Sequence, residues 1–196
     1  MFVLPEGLPL ELTPFAFLVG KWSGSGVISY LDKTKKIEHE FTQTVEFSYD
    51  EQPVLGYIAK SFLMDGTALP TEVGFWRLAK SPELADHGPG LLPGVGQKSI
   101  TNRDQLETLR NSEGGFDIEV SILHPSGISE LYLGEIKGAR VNLSTDAVLR
   151  SPSAKEYVAA TRMFGQVEGA LLWAWDISAF GNPLASHASA RLERVE

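Results

Sequence analysis

The chain contains no cysteine. That absence excludes a disulfide framework, thiol catalysis and every thiolate metal site. It fits a reducing compartment, so the expected setting is cytoplasmic. Basic residues are also few. Lys and Arg number 17 against 25 Asp and Glu, a formal charge of −8 over 196 residues. Binding to nucleic acid needs a clustered basic face to neutralise phosphates. The densest basic run, Lys33, Lys35 and Lys36, is followed by Glu38 and Glu40 and reads as a solvated loop. Long apolar runs are missing as well, and none reaches the length of a transmembrane helix. The start, Met1 to Pro9, lacks the basic and apolar regions of a signal peptide. Neither a nucleic acid nor a membrane is expected as a partner.

What is abundant is period-two patterning. In residues 37–47, Ile37, Phe41, Val45 and Phe47 share one face with His39 and Gln43, while Glu38, Glu40, Thr42, Thr44 and Glu46 share the other. This is a half-buried strand. Similar runs fall at about 20–30, 54–64, 71–79, 116–123, 128–136, 139–149, 155–167, 170–179 and 186–195, ten in all. Asp65-Gly66, Pro125-Ser126-Gly127, Lys137-Gly138 and Glu168-Gly169 are hairpin turn signals. Helix is scarce. Pro9 to Leu18 predicts a short turn capped at Thr13-Pro14. Residues 80–115, rich in Gly and Pro, predict a long surface insertion, with one or two helical turns over Thr101 to Leu109. The expected architecture is an all-β, ten-stranded antiparallel up-and-down β-barrel, with a short N-terminal helical turn and a long loop insertion. It forms one domain over 1–196. A barrel of that size leaves room for a small ligand.

Catalytic motifs are sparse. There is no Gly-x-Ser-x-Gly, no His-Glu-x-x-His and no phosphate loop. Glu38 and Glu40 are explained by solvation. The histidines are His39, His87, His124 and His187. His87 lies in the insertion and His124 before Pro125, and both are expected in solvent-exposed turns. A bare zinc site needs three or four converging ligands, which this spacing does not supply. One imidazole is enough when the metal arrives inside a porphyrin, and His187 is the best placed. On the residues alone, an ordinary strand histidine in a plain binding barrel remains open beside it. Gly20, Trp22, Gly24 and Gly26 alternate along the first strand and read as a closure motif, with Trp22 filling the space the glycines vacate.

These segments resemble the nitrobindins, haem-binding β-barrels similar in fold to fatty-acid-binding proteins. The Gly-x-Trp-x-Gly-x-Gly signature is Gly20, Trp22, Gly24, Gly26, and the C-terminal one is Pro183, Leu184, His187, Ala190, Leu192. Thr71 to Arg77, His124 to Glu130, Ser153 to Glu156 and Asp176 to Gly181 are similar to family segments, in an actinobacterial-looking branch. The resemblance implies a ferric haem b with His187 as proximal ligand. It further implies isomerisation of peroxynitrite to nitrate and reversible nitric oxide binding. A homodimer is carried separately as a candidate assembly. No protein acid or base is required for that reaction, which leans the reading towards an enzyme without a catalytic side chain. The chain departs from the family where it usually reads Gly-x-Tyr-Pro-Thr: Tyr30 is kept, but Leu31-Asp32 replaces Pro-Thr, and Thr34 comes two positions late. The alternative carried beside haem is a haem-free barrel, like lipocalins and fatty-acid-binding proteins, holding an apolar small ligand. If His187 faces inward, strict alternation predicts that Ser189, Arg191 and Glu193 do too, unless a bulge intervenes. Arg191 and Lys155 are then the candidate partners for a propionate.

Overall fold

The computed structural model describes residues 5–32, 35–80, 88–90, 92 and 100–195. Ten strands form a closed antiparallel barrel: β1 (Gly20–Asp32), β2 (Lys35–Tyr49), β3 (Leu55–Leu63), β4 (Glu72–Leu78), β5 (Phe116–His124), β6 (Ile128–Lys137), β7 (Arg140–Arg150), β8 (Ala159–Val167), β9 (Ala170–Ser178) and β10 (Ala185–Arg194). Each pairs with its sequence neighbour, and β10 returns to β1 to close the ring. Closure leaves no unpaired edge. The Glu168-Gly169 turn shows the local cause of one hairpin. Both residues have positive φ, 52° and 87°, the conformation whose twist matches the flanking strands.

Alternation puts apolar side chains inside. Phe47, Tyr57, Trp76 and Phe164 meet at ring separations of 5.2 to 5.9 Å and form the aromatic centre. A short 3-10 helix, η1 (Leu10–Phe15), covers one end with Leu12 and Phe15, both fully buried. Pro14 lies inside this helix, and its start is Pro9 without a side-chain cap, so Thr13-Pro14 does not cap it as expected. Beside it Trp22 is completely buried, donates its indole N–H to the Leu18 carbonyl at 2.7 Å, and carries the Arg194 guanidinium 4.1 Å over its ring. Gly24 and Gly26 let β10 come close. A Cβ on Gly24 would lie 2.1 Å from the Arg191 carbonyl oxygen, and one on Gly26 2.2 Å from that of Ser189. The space the glycines vacate is thus taken by β10 and not by Trp22, which fills the end of the barrel beside them.

The other end is open. It is ringed by residues 64–71, 125–127 and 151–158 and the β9–β10 loop over 179–184. Two boundaries shift there. β8 begins at Ala159 rather than near 155, because Tyr157 turns its buried side chain inward from the preceding loop. β2 reaches past the barrel mouth, so His39 has the inward parity of Gln43 yet is exposed, stacking on Tyr30 at 6.0 Å. Helix α1 (Arg103–Glu107) fulfils the expectation for Thr101 to Leu109, with the Asn102 side chain accepting from the Gln105 N–H as N-cap. His87 and most of the 80–99 stretch lie outside the described residues.

Candidate haem site at the open end

His187 stands at the start of β10, where the pairing with β9 shifts register between Ser186 and Ala188. His187 is the extra residue of this bulge. Without it, alternation would have placed Ser189, Arg191 and Glu193 inside. Instead Ala188, Ala190 and Leu192 are buried, Ser189, Arg191 and Glu193 are exposed, and His187 is half-buried. Of the two alternatives for this strand the bulge is the one that forms, and Arg191 pairs with Glu193 at the surface instead of facing inward. Bulges re-aim side chains in this way. Lys155 is also exposed but close enough for its charge to act on His187.

Nδ1 of His187 lies 3.1 Å from the Ser29 carbonyl oxygen. A carbonyl can only accept, so Nδ1 carries the proton and Nε2 keeps its lone pair. Nε2 has no hydrogen-bond partner among the described residues. Burial lowers the imidazole pKa, the charges of Arg162 and Lys155 lower it further, and the Ser29 contact only partly opposes them. The ring is therefore neutral at neutral pH, as a metal ligand must be, and its tautomer is fixed by a backbone acceptor, the usual support for a ligating histidine. The Ser29 hydroxyl, buried, donates to the Ser186 carbonyl at 3.3 Å and ties β1 to the bulge.

Trp175, the neighbour on β9, meets His187 edge-on at 5.2 Å. Its ring lies under the Arg162 guanidinium at 4.2 Å, and His124 and Tyr157 pack against it at 6.1 and 6.2 Å. Its indole Nε1 is buried without an acceptor among the described residues. Behind it lies a charged cluster inside the barrel. Arg162 donates twice to Glu72, both at 2.8 Å, and once each to Glu130 at 3.3 Å and the Tyr132 hydroxyl at 2.9 Å. Glu130 also accepts from Tyr132 at 2.8 Å and from Tyr157, and Glu72 from Tyr57 at 2.7 Å. His124 Nε2 is 2.8 Å from Glu130. Burial pushes the Glu72 carboxyl up, but Arg162 outweighs it and holds the pKa at about 2. Glu130 is lowered against the same burial by Arg162, His124 and Tyr157. Burial also drives the three tyrosine hydroxyls upward, so they remain donors.

The expectation of a solvent-exposed His124 is therefore corrected: its side chain is buried, because it is the last inward residue of β5 and not part of the turn. Glu72, Glu130, Arg162 and Trp175 were missed. Their signal was present as polar or bulky residues at inward parity, Glu130 beside Tyr132 and Arg162 between Ala160 and Phe164. Among the described residues no three His, Cys, Asp or Glu side chains are arranged to hold a bare metal ion. The donor set at the open end fits a porphyrin instead. It offers one neutral imidazole with a free Nε2, an adjacent unsatisfied N–H, and an apolar rim of Leu31, Val158, Phe180 and Leu184, all exposed.

Comparison with known proteins agrees with this chemistry. Residues 11–194 match the family described as THAP4-like, heme-binding beta-barrel domain. A protein named peroxynitrite isomerase from Leifsonia xyli subsp. xyli is 50% identical, and another from Clavibacter michiganensis subsp. michiganensis is 47% identical, each covering 100% of both chains. The crystal structure of Rv2717c from M. tuberculosis superposes with a TM-score of 0.69 at 25% identity, covering 96% of this chain and 99% of that one. With the fold, the open-end site and these matches together, the chain belongs to the family of THAP4-like, haem-binding β-barrel domains, the nitrobindin family.

Proposed function

We propose that this barrel holds a ferric haem b on Nε2 of His187 and isomerises peroxynitrite to nitrate. The observation that carries the reading is the Ser29 carbonyl on Nδ1, which leaves a neutral imidazole with a free lone pair in the barrel mouth. Two relatives covering the full chain bear the name of that activity. A ferric haem on a single imidazole supplies a Lewis-acidic metal with one open coordination position. The chain's own part is to bind and orient. Ser29 fixes the ring, and the bulge aims it inward. Trp175 backs it, and the rim of Leu31, Val158, Phe180 and Leu184 shields an apolar macrocycle from water. The same open position supports nitric oxide binding. The cysteine-free sequence supports a cytoplasmic setting.

Two measurements test this. Hemin titrated into purified protein gives a Soret band that His187→Ala abolishes. Peroxynitrite decay is then faster with haem-loaded protein than with apoprotein. Equal decay rates would remove the enzymatic reading even if hemin binds. Indifference to hemin together with a co-purifying lipid would favour an apolar-ligand barrel.

Self-association is proposed through the outer face of β3 to β6. Ile58, Val73 and Leu123 lie directly across three strands from one another, and Phe75 and Leu131 flank Ser121 in the next row. All five are exposed, which supports a contact surface rather than scattered surface apolars.

A further inference from the structure

The chain has four tryptophans and so four indole N–H donors. Trp22 donates to the Leu18 carbonyl at 2.7 Å, and Trp173 to Oε1 of Gln43 at 2.8 Å. The N–H groups of Trp76 and Trp175 are buried with no acceptor among the described residues. Folded proteins rarely leave a buried donor unmade, because its desolvation is not offset. Trp76 sits in the aromatic centre, packed by Phe47, Tyr57 and Phe164. Trp175 differs in place. Its ring touches His187, and Arg162 and His124 hold it from other sides.

We propose that Trp175 is the hydrogen-bond donor of the His187 site, its indole N–H pairing with an anionic oxygen of whatever the site holds. This rests on the haem reading of His187. The acceptor class follows from the donor: an indole N–H buried without a partner among the described residues, with the Arg162 guanidinium 4.2 Å over its ring, gains most from a charged oxygen, the stronger kind of acceptor. Two occupants carry such an oxygen, a porphyrin propionate and an oxyanion such as nitrate at the open position. The indole is positioned for this role by its cross-strand partner Arg162. The guanidinium is already spent on Glu72, Glu130 and Tyr132 and is not itself the donor.

The test follows the indole resonances of ¹⁵N-labelled protein loaded with gallium(III) protoporphyrin IX, with its dimethyl ester, or with either plus sodium nitrate. Porphyrin binding is read independently from the Soret band. The expected result is a downfield move of the Trp175 N–H while Trp76 stays still. A move with the free acid but not the ester assigns a propionate, and a move only on adding nitrate assigns the oxyanion. Trp175→Phe, which keeps the ring and loses the N–H, then raises the hemin dissociation rate or weakens nitrate binding roughly fivefold, in line with the arm that moved. A Soret shift with a stationary Trp175 resonance in every arm overturns this proposal and leaves the haem reading standing. No Soret shift at all overturns both.

Discussion

At the scale of single residues, the protonation of His187 governs the site. Its pKa lies below the ordinary value of about 6.5 because burial and the Arg162 and Lys155 charges disfavour the imidazolium. On the proposed ligation, a proton competes with iron for Nε2. Hemin affinity is therefore flat from pH 8 down through about 6.5 and falls only below that; a Soret titration at stepped pH with a midpoint above the ordinary histidine value would contradict this. The same depression has a stability sign. The unfolded chain takes up its proton first, so His187 destabilises the fold as pH drops below about 6.5 and is neutral to it above. The sequence marked His187 by its place in the Pro-Leu-x-x-His segment. It could not mark Ser29 as the partner, because that contact joins positions 158 residues apart through a backbone carbonyl that every residue possesses.

At the scale of elements, the strand pattern was legible and the interior chemistry was not. Ten strands were expected and ten form, since period-two alternation and Gly-containing turns are local signals. The β10 bulge was left open as an alternative to strict alternation, because one extra residue reverses the parity of everything after it and no local signal fixes its place. The glycines of the closure motif give a sharp test. Gly24→Ala places a methyl against backbone of β10 that cannot retreat, at a cost of about 2 kcal/mol or more. Gly56→Ala, whose nearest atoms lie 3.4 and 3.5 Å away, serves as the control and changes little. Thermal melts of the two variants, compared with wild type, check this. Strands β4, β6 and β8 are joined by Arg162 between Glu72 and Glu130. Arg162→Met leaves two buried carboxylates without their guanidinium and destabilises by about 3 to 5 kcal/mol, read from urea unfolding at neutral pH. Both carboxyl pKa values are lowered in the fold. Their contribution is therefore complete above about pH 4.5, the unfolded value, and is lost as pH falls towards 2. In Arg162→Met this acid-labile share should vanish from the stability-versus-pH curve.

At the scale of the whole molecule, charge and outer surface set the behaviour. The net charge of −8 works against association with nucleic acid and in favour of solubility. The exposed apolar strip across β3 to β6, the proposed contact surface, works the other way. Sedimentation of wild-type protein is expected to give a dimer that Phe75→Lys with Leu131→Lys dissociates, with hemin binding retained. A monomeric wild type at micromolar concentration would dismiss the surface as an interface. The ring closes between β1 and β10, and this governs the order in which the protein can be made. Trp22 pairs with Arg194 and Ile28 with Ala188, contacts spanning nearly the full length of the barrel sequence. Such long-range pairings are slow to form. The strand that bears His187 is also the last barrel strand to be synthesised. Until it docks, the imidazole has no Ser29 carbonyl to orient it and the pocket has no seam. On the proposed ligation by His187, a nascent chain cannot capture haem early, and cofactor loading reports that the whole ring has closed.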